Sequence, residues 1–428
     1  MDIINRFLFL TCHELFFLMM YPKICIVGAG PGGCATALKL SYLNIPCTLI
    51  DKAAFPRDKV CGDAISGKVT TLLNRLDPQI LHRFQESIQQ QAIWGIRFFP
   101  PNQKSVDIPF VASSNQELAP GYVSKRLHFD NFLLQEVKQR DNIELLLETD
   151  ITGYQKTKNG FELWNTERTF FREVPLLIWA NGAQSQFTRK YANISIEKTH
   201  YAASIRAYYK NVSLNDPIEF IELHFIKEIT PGYFWIFPLP NNEVNVGLGM
   251  RADVLANKKV NLNSLLDQII NKHPKLKARF SEAQLVGPIK GYGLPLGSKT
   301  RKLSGDNFML VGDAGHLIDP LTGEGIGNAV YSGFIAAEQA QKCLDENNFS
   351  NEFLKDYDIR VQRVLGSEMK LSYKIQQLAM YPFLLNTVAA IISGNRKIID
   401  YFTAMNTDFK MREQLVNPIF WVKMMFKK

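Results

Sequence analysis

The sequence predicts an α/β fold with an α+β second domain, and three stretches predict it. An apolar strand, a glycine-rich turn and a helix follow one another from Lys23 to Leu43. Residues alternate as in antiparallel strands from Thr199 to Met250. A second strand, glycine turn and helix run from Asn307 through Ala340.

Taken in order, Lys23 to Gly33 reads as strand and tight turn, Ala35 to Leu43 as helix, and Pro46 to Asp51 as a second buried strand, which completes one βαβ unit. A helix is expected near Asp77 to Gln90, then strands over Ala92 to Phe99 and Ser105 to Phe110 joined by a Pro-Pro-Asn-Gln turn. The parallel pattern returns between Gly121 and Gly182, with a helix over Phe129 to Gln139 and strands over Ile143 to Thr149 and Pro175 to Trp179, so the first domain is expected to be discontinuous. The antiparallel strands are expected at Ala202 to Tyr209, Glu219 to His224, Tyr233 to Pro238 and Glu243 to Met250. Helical segments are expected to follow, before the strand Asn307 to Gly312 and a helical end from Asn351 onward.

The chain has 428 residues, 46% hydrophobic and 21% charged, enough for a substantial core and two or three domains. Its net charge of +8 is concentrated late, because Lys355 to Lys428 holds 12 basic and 6 acidic residues. A basic end can meet nucleic acid, anionic lipid or a phosphorylated substrate, or simply keep a surface soluble. No zinc-finger, helix-turn-helix or RNA-binding signature accompanies it, so nucleic acid ranks last. The six cysteines show no CxxC spacing, and Cys25 and Cys47 lie in apolar strands, which points to a reducing, cytoplasmic compartment and to no metal site. The longest apolar candidate for a membrane span, Met380 to Ser393, is too short and contains Pro382 and Asn386. Phe7 to Met20 imitates a signal peptide but carries His13 and Glu14 and lacks a small-residue cleavage site. Translation is expected to start at Met19 or Met20, with residues 1–19 upstream.

Gly28-Ala-Gly30-Pro31-Gly32-Gly33 follows an apolar strand and opens a helix, the context that a dinucleotide turn of the Rossmann type requires. Gly28 permits the turn, Gly30 lets backbone approach a pyrophosphate, Gly33 allows close helix packing, and the helix N-terminus offers N–H donors. Asp51, followed by Lys52, ends the second strand at the spacing expected for a ribose-binding carboxylate. A purely structural glycine turn is the alternative. This site alone does not separate NAD from FAD. The second cluster does, with Gly312-Asp313-Ala-Gly-His316 followed by Asp319-Pro320-Leu-Thr-Gly323-Glu324-Gly325-Ile326-Gly327-Asn328. Asp313 can fix sugar or ribityl hydroxyls, and the N–H groups of Gly325 to Asn328 start a helix aimed at a flavin, where its positive end stabilises the charge that develops on reduction. His316 has no evident partner and reads as structural.

With Arg126-Leu-His-Phe129-Asp130-Asn-Phe-Leu133, these clusters resemble the FAD-dependent oxidoreductases of the para-hydroxybenzoate hydroxylase fold. The resemblance implies that Arg126 lies against FAD; a surface arginine on a helix start is the plain alternative. Asn181 stands where those hydroxylases carry aspartate, which puts their NADPH contact in doubt. Pro231-Gly-Tyr233-Phe-Trp235-Ile-Phe237-Pro238 and Lys59-Val-Cys61-Gly62-Asp63 resemble the geranylgeranyl reductase branch. That resemblance covers about Ile24 to beyond Ala340; it implies that the first segment borders a prenyl pocket and that Cys61 and Gly62 face the flavin. Physically, Tyr233, Trp235 and Phe237 alternate on one strand face and offer a broad aromatic surface, whether for a prenyl chain or for a core. Cys61 is either a proton donor or a packing residue.

The expected layout is an FAD-binding domain of residues 20–75, 120–195 and 286–345, a substrate domain of 76–119 and 196–285, and a helical region of 346–428. The expected activity is reduction of carbon–carbon double bonds in a prenyl lipid or quinone by hydride from flavin N5, with Cys61, Tyr233 and Trp235 as catalytic candidates. Electrons would come from NAD(P)H or ferredoxin. The apolar Tyr381 to Ile392 run and the basic end suggest peripheral contact with an anionic membrane, at its cytoplasmic face. Two other readings remain open: an aromatic hydroxylase of the same fold, and a flavin-binding protein without turnover.

Overall fold

The computed structural model describes residues 21–110, 119–394 and 398–399. Ile24–Val27, Cys47–Ile50 and Leu176–Trp179 are apolar runs without alternation, and every one of their residues is buried. Strands covered on both faces belong to a parallel sheet. They lie in a six-stranded sheet ordered Ser304–Gly305, Phe308–Leu310, Leu176–Trp179, Ile24–Val27, Cys47–Ile50, Ile143–Leu146. All neighbours are parallel except the Ser304–Gly305 edge. The strands thus come from three separated stretches of chain. Helices Pro31–Tyr42, Arg126–Lys138 and Ile326–Asp345 cover one face and pack with it into the main core.

The second sheet has seven strands, ordered Gln284–Pro295, Tyr201–Lys210, Glu243–Arg251, Tyr233–Leu239, Phe220–His224, Gly95–Phe99, Val106–Pro109. One face buries Ile236, Val246 and Leu248 against helix Leu262–Lys272. The other face looks toward the first sheet. The four antiparallel strands expected from Thr199 to Met250 are present, but Phe220–His224 also pairs in parallel with Gly95–Phe99.

Several expectations require correction. Ala92 to Phe99 is not one strand: it breaks at Trp94, and Gln90–Ile93 joins Gly121–Ser124 and Ala64–Ile65 in a small separate sheet. A helix not expected from the sequence, Gly67–Leu76, precedes Pro78–Gln85, and the Asp77 side chain caps the latter through the Gln79 N–H. Where only helical segments were expected after Met250, Gln284–Pro295 forms a long edge strand across the expected boundary at residue 286. Its Gly287, Pro288, Gly291 and Gly293 and its exposure on both faces erase the usual alternation. A three-stranded sheet of Ile151–Lys156, Phe161–Asn165 and Phe171–Val174 was likewise missed. The described chain ends in helices Asn351–Val361, Ser367–Leu378 and Pro382–Ser393; no single one is long and apolar enough to cross a membrane. The expected start at Met19 or Met20, and the basic end beyond Ile399, lie outside the described residues.

Candidate active site

The first glycine turn is held by contacts that only glycine allows. Gly28 has φ +107°, and a Cβ there would stand 2.4 Å from the Ala180 carbonyl oxygen. At Gly33 a Cβ would come 1.7 Å from the Gly28 oxygen, so helix Pro31–Tyr42 can approach its strand only without a side chain. Gly30 instead faces open space, with only the Arg57 guanidinium 3.6 Å from where a Cβ would be. As helix N-cap, Gly30 supplies no side-chain oxygen, which leaves the helix N-terminus available to an anionic ligand. Asp51 accepts hydrogen bonds from the N–H groups of Ala29 (2.7 Å) and Ala53 (2.9 Å). Arg57 bridges Asp51 and Asp130, at 3.9 and 3.1 Å.

The second turn meets the first. Strand Phe308–Leu310 leads into the turn Gly312–Gly315, and helix Ile326–Asp345 begins at Gly325, again without a side-chain cap. Asp313 pairs with Lys59 at 3.1 Å. His316 is buried with positive φ, its Nδ1 has no partner, and burial, with help from Arg301, pushes its pKa down to about 4. These features give it a structural place. Together the two uncapped helix ends and the buried ribose-side carboxylate fit the phosphate and sugar chemistry of FAD.

Between the two sheets lies a cavity of about 1780 Å³, larger than the usual site for one small ligand. Gly28, Gly30, Pro31, Gly32, Asp51 and Lys52 line one end of it. Cys61, Gly62, Arg126, Asp313, Gly325 and Ile326 line the middle, beside Tyr233 and Trp235. Two expected residues do not line it: Gly33 is turned into its own turn, and Gly327 faces Glu324 and Lys68. Arg126 is no surface arginine. It is 2% exposed and forms a bidentate pair with Asp130, and although burial opposes its charge, Asp130 and Cys61 hold its pKa above the ordinary range.

The seven-stranded sheet gives the cavity a graded wall. One register row crosses from Lys290 through Arg206, Gly247 and Trp235 to Leu223. The Trp235 indole lies over Gly247, where a Cβ would come 2.2 Å from the ring. On one side stand Lys290 and Arg206, both paired with Asp58; on the other stand Ile96, Ile221 and Leu223. The Tyr233 hydroxyl donates to the Thr322 carbonyl, tying this wall to the second glycine turn. Burial, then Asp319 and Cys61, keep that hydroxyl's pKa above its ordinary value.

Sequence reasoning missed several residues that organise this wall. Asp63, which follows Cys61 and Gly62, is wholly buried with φ +66°. Burial pushes its pKa up to about 6 despite hydrogen bonds from Tyr208, Asn245 and the Arg126 N–H. Asn245 carried no signal at all. Glu324, bonded by Ser66 and beside Lys68, has its pKa raised by burial, partly offset by Lys68.

The geranylgeranyl reductase catalytic domain model matches residues 201–288, which covers the Tyr-x-Trp-x-Phe-Pro wall and the start of the edge strand. A menaquinone reductase of Mycolicibacterium smegmatis is 30% identical over 398 residues, 87% of this chain and 91% of that protein. A digeranylgeranylglycerophospholipid reductase of Methanococcus vannielii is 29% identical over 386 residues, 88% of this chain and 92% of that protein. Among solved structures, a geranylgeranyl bacteriochlorophyll reductase-like protein of Thermoplasma acidophilum superposes with a TM-score of 0.76 at 23% identity, covering 92% of this chain and 98% of that one. Motif order, fold and full-length likeness agree, and the chain belongs to the geranylgeranyl reductase family of FAD-dependent oxidoreductases.

Proposed function

We propose that this enzyme reduces carbon–carbon double bonds in the prenyl chain of a lipid or quinone. The observation that carries the reading is the graded wall: aromatic and aliphatic side chains form one flank of the same cavity that the two glycine turns line. An apolar chain has no polar handle, so a long hydrophobic wall is what would hold it. Relatives named for prenyl-lipid and menaquinone reduction agree with this substrate class.

FAD, when bound and reduced, supplies hydride from N5. Around it, Gly28, Gly30, Pro31, Gly32, Asp51 and Lys52 would hold the adenosine and pyrophosphate, and Arg126, Asp313, Gly325 and Ile326 the ribityl and ring, with Gly33 and Gly327 acting through backbone packing. Trp235 and Tyr233 would press the double bond against Cys61 and Gly62. Because Tyr233 commits its hydroxyl proton to Thr322, Cys61 or water is the better proton donor to the second carbon. Reduced nicotinamide or ferredoxin would restore the electrons. The helix Ser367–Leu378, which lines the cavity with Leu371 and Ile375, ends at exposed Leu378, and exposed Met380, Tyr381 and Phe383 follow in the turn and the start of the next helix, which suggests that lipid enters from an anionic, cytoplasm-facing membrane surface.

The test is to incubate the FAD-loaded enzyme with dithionite and candidate prenyl lipids and follow product mass. Gain of hydrogen pairs is the expected result. Gain of one oxygen from the NAD(P)H-driven aerobic reaction would mark a hydroxylase instead, and unchanged lipid with readily reducible flavin would sink the proposal.

A further inference from the structure

We propose that Asp63 and Asn245 are a positioning pair that fixes where the Cys61 thiol and the Trp235 indole stand. The proposal rests on the reading of the cavity as the reaction site, but its geometry is independent of any particular substrate.

Asn245 is 0% exposed and binds three things at once. Its Nδ2 donates to the Cys61 carbonyl and to Asp63 Oδ2, both at 2.8 Å. Its Oδ1 accepts from Trp235 Nε1 at 2.8 Å. The indole N–H can only donate, so the amide oxygen must face Trp235 and the amide nitrogen must face Cys61 and Asp63. Swapping the two amide atoms would break all three bonds. Asp63 closes the ring. Its Oδ2 also accepts from the Tyr208 hydroxyl at 2.7 Å, and its Oδ1 from the Arg126 N–H at 3.2 Å. The Arg126 guanidinium in turn lies within hydrogen-bonding reach of the Cys61 thiol.

Neither Asp63, Asn245 nor Tyr208 lines the cavity, whereas Cys61, Gly62, Arg126 and Trp235 all do. The pair therefore acts through its neighbours. A turn at Asp63 with φ +66° would ordinarily favour glycine, and the three hydrogen bonds to its carboxylate hold an aspartate there instead. Gly62 completes the fit, since a Cβ there would stand 3.1 Å from the Phe237 ring and 3.8 Å from Trp235. Loss of the Asn245 amide would free the Cys61–Gly62 backbone and the indole together.

Asn245→Asp gives the proposal its distinguishing signature. The new carboxyl would face Asp63 at hydrogen-bond distance, and two carboxyl groups that close retain a shared proton only toward lower pH. The surrounding charges are Arg206, 4.1 Å from the Tyr208 ring, Lys125, 4.7 Å from it, the Arg126–Asp130 pair, and Asp58 paired with Arg206. Protonation of the pair would restore one donor between them, whereas Asn245→Ala has nothing to restore.

The experiment uses the full-length, FAD-loaded protein and measures the alkylation rate of Cys61 by iodoacetamide with peptide-level mass spectrometry. Cys25, Cys34, Cys47 and Cys343 are buried and serve as internal indicators of unfolding. Relative to wild type at the same pH, Asn245→Asp should change the Cys61 rate about tenfold near pH 8 and return toward wild type near pH 6, while Asn245→Ala should stay displaced at both. In the prenyl reduction assay both variants should lose about tenfold or more in kcat with little change in KM. Where the Asn245 variants do not accumulate as folded protein, Tyr208→Phe, which deletes one hydroxyl, should shift the Cys61 rate in the same direction by a smaller factor. A Cys61 rate within twofold of wild type in every folded variant would overturn the proposal. Because alkylation needs no substrate, a shifted rate without prenyl reduction would sustain the pair while defeating the assigned reaction.

Discussion

Glu222 sits in a buried ion-pair network whose contribution depends on pH. It is 2% exposed and accepts from Arg279 at 2.6 and 3.0 Å, from His224 and from Asn215. Burial alone would raise its pKa, but the bonds from His224 and Arg279 outweigh it and hold the group at about 2 rather than 4.5. A carboxyl held low in the folded state stabilises above its unfolded value and loses that stabilisation as pH falls through the folded one. Glu222→Gln should therefore flatten the stability loss that wild type shows between about pH 4.5 and pH 2, as read by denaturant midpoints across that range. At the same scale, the residues that sequence exposed were those under backbone constraint. Gly28, Gly30 and Asp51 announce themselves because a glycine at a turn and a carboxylate at a strand end sit at fixed spacing. Glu222, Asp63 and Asn245 do not, since a buried polar network is closed by residues far apart in sequence and obeys no period.

Among the elements, helix Leu262–Lys272 offers a clean measurement. Its Asn261 cap accepts from the Ser264 N–H at 3.0 Å on the protein surface, so removing it changes little else. Asn261→Ala should cost about 1 kcal/mol, seen as a lower thermal midpoint at unchanged flavin content. The same helix was legible in outline because Leu265, Leu266 and Ile269 repeat at helical spacing. Strands were legible where the residue types alternate, as at Tyr233–Leu239, whose two faces join different clusters. They were not where alternation failed: Gln284–Pro295 is exposed at an edge and rich in glycine, and Gln90–Ile93 is separated from Gly95–Phe99 only by Trp94. The helix Gly67–Leu76 was not expected; its Ser66 N-cap makes no side-chain bond to the helix and bonds instead to Glu324.

For the molecule as a whole, the proposed entry of lipid can be tested at the exposed surface around Tyr381. Tyr381 and Phe383 are 55% and 64% exposed, and exposed Lys370 and Lys374 lie on the preceding helix. The protein should co-sediment with vesicles containing anionic phospholipid and less with neutral ones; Tyr381→Ser with Phe383→Ser should reduce that binding without loss of FAD, and equal recovery with both vesicle types would refute the membrane reading. The strand order of the two large sheets carries a different consequence. Phe220–His224 lies beside Gly95–Phe99, and Phe308–Leu310 beside Leu176–Trp179. During synthesis, the early strands must therefore wait with an open edge until much later residues have left the ribosome. The seven-stranded sheet is complete only when the strand ending at Pro295 has emerged and the six-stranded sheet only at Leu310, so the two interleaved sheets must finish late and nearly together.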